Sequence, residues 1–164
     1  MKKFQSYGFG DLTFLIVDVD RWSASLTETV LRTFGVRNCV FASNEADMME
    51  MLLTQRPDVI FMEWRLKSDS GIDLVKKIRN ASFESYQHTP IFMLTAMTDM
   101  ENVSEARDAG VNEFLARPFS PGNLYSRICA MVANPRPFVD CATYKGPDRR
   151  RRRMPVPIDR RRKG

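Results

Sequence analysis

Apolar residues fall along this chain in two alternating patterns. Short runs at 13–17 (TFLIV), 37–42 (RNCVFA), 58–62 (DVIFM), 90–94 (PIFML) and 113–116 (EFLA) have the length of strands rather than helices. Between them the apolar positions switch to helical spacing. Trp22, Leu26, Val30 and Phe34 mark a first helix stopped at Gly35, and Met49 and Leu53 a second behind the caps Ser43 and Asn44. Leu74, Val75 and Ile78 predict a third behind Gly71, and Val103, Ala106 and Ala109 a fourth ending at Gly110. Ser120-Pro121, a cap followed by proline at the first helical position, opens a fifth with Leu124, Ile128 and Met131 or Val132 on its apolar face. Strand and helix alternating five times predict an α/β fold, a doubly wound parallel sheet of five strands. Right-handed crossovers then bring every loop that follows a strand to one edge, the usual place for a ligand. Asp18, Glu63, Thr95 and Arg117 meet at that edge.

Charge divides the chain differently. Residues 1–133 hold 14 Lys and Arg against 17 Asp and Glu, whereas residues 134–164 hold 11 against 3. We read 1–12 as an N-terminal extension, 13–133 as the folded body, and 134–164 as an arginine-rich tail. The tail's Pro, Arg and Gly content and its lack of apolar periodicity predict that it is disordered when free. No apolar run approaches the ~20 residues of a membrane span, and the N-terminus has no signal-peptide core. Cys39, Cys129 and Cys141 have no metal spacing and read as free thiols of a reducing cytoplasm. The single histidine, His88, leaves no multi-histidine metal site and reads as a solvated loop residue.

The segments "FLIVDVD", "PDVIFMEW…SG", "PIFMLTA" and "AGVNEFLARPFSPGNL" resemble the CheY-like receiver domains of response regulators. The intervals of 44 residues from Val19 to Glu63 and 22 from Thr95 to Arg117 fit that family. The resemblance implies a flavodoxin-like strand order, 2-1-3-4-5. It also implies transfer of a phosphoryl group to an aspartate, assisted by Mg²⁺ on two neighbouring acids, the acceptor and a backbone carbonyl two residues beyond it. This chain departs at most of those places. Asp18 keeps the first acid, but Val19 stands at the second and brings no side-chain oxygen. Glu63 stands at the acceptor, Arg65 at the carbonyl position with a cation that can fill the gap, and Arg117 at the lysine. Thr95 is family-like, and Phe114 holds the position of the switch aromatic. These departures predict a degenerate receiver that is not phosphorylated in the usual way, is not an enzyme, and has neither Mg²⁺ nor a permanently bound cofactor. Glu63 then has two readings: a fixed imitation of a phosphorylated aspartate reaching Thr95 and Arg117, or half of a structural ion pair with Arg117. The resemblance also implies that a protein partner, or a second copy, docks on the face around 98–133.

In the tail, every cation of the two basic runs except Lys163 is arginine, which suits planar, bidentate and stacking recognition. Acids recur beside them, as "DRR" at 148–150 and 159–161, with Asp140 upstream and Tyr144 before the first run. Guanine meets such a set: O6 and N7 accept from arginine, N1–H and the 2-amino group donate to a carboxylate, and its face stacks on arginine or tyrosine. "RPFVD…YKGPDRRRR" is similar to the arginine-rich C-terminal segment of CheY-like cyclic di-GMP effectors of alphaproteobacteria. The resemblance implies that Arg136, Asp140, Tyr144, Asp148, Arg149, Arg150 and Arg151 contact that nucleotide. The alternative is a polycation that binds nucleic acid or anionic membrane through phosphates without nucleotide selectivity.

Overall fold

The computed structural model describes residues 8–81 and 84–150. The five apolar runs become β1 (Thr13–Val17), β2 (Asn38–Ala42), β3 (Val59–Met62), β4 (Ile91–Thr95) and β5 (Glu113–Ala116), all parallel in the order β2-β1-β3-β4-β5. Side-chain alternation along each strand builds two cores. Leu15, Val17, Ile60, Met62 and Met93 point to the face covered by α2 (Glu45–Gln55), α3 (Gly71–Arg79) and α5 (Met100–Ala109). Phe14, Ile16, Phe61, Phe92 and Leu94 point to the face covered by α1 (Arg21–Thr33) and α6 (Pro121–Ala133). Each such side chain, fully withdrawn from water, contributes about 1.5–3 kcal/mol before ordering costs. A short α4 (Glu84–Gln87) precedes β4.

The predicted stops hold, and of the two candidate caps of α2 Asn44 is the one used, while the Ser43 hydroxyl donates to Asp47. The Asn44 side chain accepts from the Asp47 N–H at 2.9 Å, and Ser120 from the Asn123 N–H at 3.2 Å. Gly35 and Gly110 take the positive φ values, 88° and 99°, that end α1 and α5. The helix faces need correction. Trp22 and Leu26 are 86% and 64% exposed, and α1 buries Ala24, Thr27 and Leu31 instead. A stripe with steps of four residues turns ~40° per step around a 3.6-residue helix, so only its end, Val30 and Phe34, reaches the sheet. In α2 the buried pair is Met48 and Leu52, one position before Met49 and Leu53. Residues 8–12 belong to the body, because Phe9 is 1% exposed and packs edge-on against Tyr125.

The largest difference is in the tail. Residues expected to be disordered form an antiparallel hairpin of β6 (Phe138–Cys141) and β7 (Tyr144–Pro147), docked on the domain; residues 151–164 lie outside the described residues. Two glycines permit the docking. A Cβ on Gly146 would stand 2.7 Å from the Gly110 Cα, and one on Gly110 would stand 2.6 Å from the Lys145 carbonyl oxygen. Beneath the hairpin lies Arg79, 1% exposed. Its guanidinium donates to the carbonyls of Gly110, Gln87 and Thr89 and to Asn112 Oδ1 at 2.7–2.9 Å. Burial pushes this guanidinium down to about 10, still charged at neutral pH. Phe138 covers it, with the ring stacked 4.0 Å from His88 and 5.8 Å from the Arg79 guanidinium carbon. His88 is exposed as expected, but it is a packing partner rather than a bystander. The hairpin lacked an apolar signature because it docks through glycine backbone, one aromatic ring and a buried cation.

Candidate functional site

Strands β1, β3 and β5 carry their ladders one residue past their ends, which fixes residues of the edge. The Asp18 N–H donates to the Ala42 carbonyl at 3.0 Å, Glu63 to Val17 at 2.9 Å, and Arg117 to Thr95 at 2.8 Å. Arg117 reaches back over this edge. Its Nη1 lies 3.0 Å from Asp18 Oδ2 and 3.3 Å from Glu63 Oε2, and the same atom meets the Ser23 hydroxyl. The Asp18 side chain is 2% exposed and Glu63 16%, so one guanidinium bridges two carboxylates that water barely reaches. The remaining oxygens are also engaged: Asp18 Oδ1 accepts from the Asp20 N–H at 2.9 Å, and Glu63 Oε1 from the Trp64 N–H at 2.6 Å. Glu63 therefore joins Arg117, while the Thr95 hydroxyl accepts from the Met97 N–H at 3.2 Å. Asp20 accepts from the Trp22 N–H as the N-cap of α1.

Arg65 is exposed and pairs its backbone with Ser70, so the cation between the carboxylates comes from Arg117, 52 positions further on, and not from Arg65. Val19 is 41% exposed and lines, with Asp18, Arg21, Phe41 and Asp47, a cavity of about 560 Å³ beside α1. Phe114 is half-buried against the core under α5. Ser23 had no signal in the sequence, since a serine in the first turn of a helix is ordinary.

The receiver-domain model of response regulators matches residues 14–129. The chain belongs to the response-regulator receiver family. It is 30% identical to the chemotaxis protein CheY-3 of Vibrio cholerae over 118 residues, 72% of this chain and 89% of that protein. It is 29% identical to the phosphate regulon transcriptional regulatory protein PhoB of Pseudomonas aeruginosa over 120 residues, 73% of this chain and 51% of PhoB, so it spans about half of that relative. Among solved structures it is similar to CheY4 of V. cholerae (26% identity, TM-score 0.65, covering 72% of this chain and 96% of that one). It is also similar to the receiver domain of the sensor histidine kinase PA1611 of P. aeruginosa, solved with magnesium in its active-site cleft (25% identity, TM-score 0.66, covering 78% and 100%). The sequence-based fold assignment and strand order hold.

The hairpin begins beyond the matched receiver segment, at the end of the sheet opposite Asp18 and Glu63. It touches residues at the N-terminal starts of β4 and β5, about five residues, or roughly 15 Å, from that edge. There the structure gathers most of the arginine-rich set. The Arg149 guanidinium lies over the Tyr144 ring, 3.9 Å from its centroid, and pairs with Asp108 at 3.3 Å. The Tyr144 hydroxyl donates to the Pro147 carbonyl at 2.7 Å, which holds the ring in place. Asp148 Oδ1 accepts from the Arg150 N–H at 2.9 Å, and the Asp148 N–H donates to the Pro137 carbonyl at 2.8 Å. Arg136 donates to the Asp148 carbonyl at 3.3 Å and to the Asn112 carbonyl, and pairs with Glu113 at 3.7 Å. Asp140 sits apart, further along the hairpin, paired with Lys145 at 3.4 Å. Arg151 and the second Asp-Arg-Arg unit lie outside the described residues.

The sequence did not mark Asp108 or Glu113, because both read as ordinary polar residues of a helix end and a strand start. Among the described residues, no group of three or more His, Cys, Asp or Glu side chains is gathered to hold a metal ion, and no helix is long and apolar enough to cross a membrane. The three cysteines are free.

Proposed function

We propose that this receiver domain is degenerate, that its docked arginine-rich hairpin binds cyclic di-GMP, and that it passes the signal to a protein partner. The observation that carries the ligand reading is the Arg149 guanidinium held over the Tyr144 ring, with Arg136 bonded to the Asp148 carbonyl and the Asp148 carboxylate capping the Arg150 N–H beside it. A guanidinium fixed this way offers a stacking face and a bidentate edge without ordering a long side chain at the moment of binding. Cyclic di-GMP supplies two guanine faces and two phosphates to such a set. Attraction to phosphates alone is weakened by carboxylates among the arginines.

The degenerate reading is supported by the chemistry of the strand edge. Mg²⁺ demands hard oxygen ligands, and here Val19 offers no side-chain oxygen while the Arg117 guanidinium already pairs with both Asp18 and Glu63. The residues present do not fit the ion, and Glu63 serves as an ion-pair partner of Arg117. Incubation with acetyl phosphate and Mg²⁺ is expected to leave the intact mass unchanged; a phosphoryl adduct on Asp18 or Glu63 overturns this half of the reading.

Calorimetry tests the other half. Cyclic di-GMP is expected to bind the full chain with release or uptake of heat, and GMP and cyclic di-AMP much more weakly. Equal binding of all three, or steep salt dependence without selectivity, returns the tail to nucleic acid or anionic membrane.

A further inference from the structure

Four carboxylates stand near the arginines, and each already has a partner. Asp140 pairs with Lys145 along the hairpin, Asp148 spends one oxygen on the Arg150 N–H, and Asp108 is a half-exposed partner of Arg149. Glu113 differs in position. It stands at the start of β5 and lines a cleft of about 230 Å³ with Asn112, Ala130, Met131, Asn134 and Arg136. Its side chain is 20% exposed and that of Arg136 21%, and the two are 3.7 Å apart, close enough to flank one planar group. Arg127 holds the other Glu113 oxygen at 2.9 Å and fixes the carboxylate's plane.

We propose that this cleft seats one guanine base, with Glu113 as the carboxylate that reads it and Arg136 as its partner at O6 and N7. The inference deepens the cyclic di-GMP reading and rests on it. A volume of about 230 Å³ falls below the ~300–1,000 Å³ that encloses a whole drug-sized ligand, so the cleft takes a base and leaves the rest outside. Ala130 and Met131 supply an apolar wall for its face, and a thioether suits an aromatic ring. Arg136 also touches the Asp148 carbonyl, so the exit from the cleft leads to Arg149 and Arg150, where phosphates find cations. Guanine turns two donors, N1–H and the 2-amino group, toward a carboxylate. Adenine turns an acceptor nitrogen there and is repelled, so Glu113 sets selectivity as well as affinity.

The test uses full-length protein titrated with cyclic di-GMP and cyclic di-AMP, with GMP separating the cyclic dinucleotide from a free mononucleotide. Glu113→Gln is expected to weaken cyclic di-GMP on the order of tenfold while leaving cyclic di-AMP nearly unchanged, so the selectivity ratio narrows. Because Glu113 also pairs with Arg127, a second variant leaves those bonds intact: Ala130→Trp fills the cleft and is expected to weaken cyclic di-GMP at least as much. An unchanged selectivity ratio in Glu113→Gln overturns the assignment whatever the absolute affinity does, and undiminished binding by Ala130→Trp overturns it independently. Wild-type protein that binds neither dinucleotide removes the functional reading itself, and the subsite with it.

Discussion

Arg79→Met is expected to lower the unfolding free energy by about 3–5 kcal/mol, the scale for removing one partner from a buried charged network. The side chain is 1% exposed and satisfies three backbone carbonyls and the Asn112 amide oxygen. Methionine matches much of its length but takes the donor from three buried carbonyls, while Asn112 Oδ1 keeps only the Ile91 N–H at 2.9 Å. The burial that pushes Arg79 down to about 10 is a cost, and it runs against the hydrogen bonds. Four charge-assisted bonds at about 1.5–3 kcal/mol each outweigh it. Arg79→Lys is expected to fall close to methionine, because an ammonium cannot reach four acceptors spread across a planar fork. With roughly 2–4 °C per kcal/mol for a chain of this size, the melting temperature drops by about 10 °C. Thermal unfolding gives the number, and limited trypsin digestion adds a second readout: loss of the guanidinium beneath Phe138 loosens the hairpin and speeds cleavage in it. A variant that melts like wild type would mean that the hairpin and the buried guanidinium are not coupled.

The same coupling bears on how the tail is studied. Cutting the chain at residue 134 removes the arginines but also uncovers Arg79, Gly110 and His88. Point variants in the hairpin separate binding from folding, and truncation does not.

Arg149→Ala is the point variant with the largest expected effect on the ligand: a loss of about 2–4 kcal/mol in cyclic di-GMP binding, roughly thirtyfold or more in Kd. It removes the platform stacked on Tyr144, one bidentate donor and one positive charge together. Folding is expected to change by less than about 1 kcal/mol, since the Arg149–Asp108 pair is 42% and 51% exposed and such pairs contribute little. Arg149→Lys keeps the charge and loses the plane, and is expected to recover only part of the affinity. Full recovery by lysine would assign the site to bulk charge and favour the polyanion alternative. Calorimetry on the three proteins at one salt concentration decides it.

Legibility in the sequence followed how each element is buried. Strands β3 and β4 are dry on both faces, so their apolar runs and boundaries could be read within a residue. Helices are buried on one side only, and there the large residues misled. Trp22 and Leu26 carry the strongest apolar signal in α1 yet face water, while the residues that pack are Ala24, Thr27 and Leu31. At the strand edge, spacing placed Asp18, Glu63, Thr95 and Arg117 together because the parallel strands of one sheet run the same way and end close to one level. Spacing did not reveal that Arg117, rather than Arg65, lies between the acids, since that depends on how a long side chain leaves its strand end.

By itself the sequence determined the receiver fold, the strand order carried by the resemblance, the missing side-chain oxygen at Val19, and a basic segment rich in arginine and sparing in lysine. Only the tertiary structure decided that residues 134–150 are part of the domain, that Arg79 lies beneath them, and that Glu113 and Asp108 stand among the arginines. The reason is physical: periodic burial repeats along the chain and can be counted, whereas a docked hairpin is specified by two glycines, one ring and a cation that meet only in space.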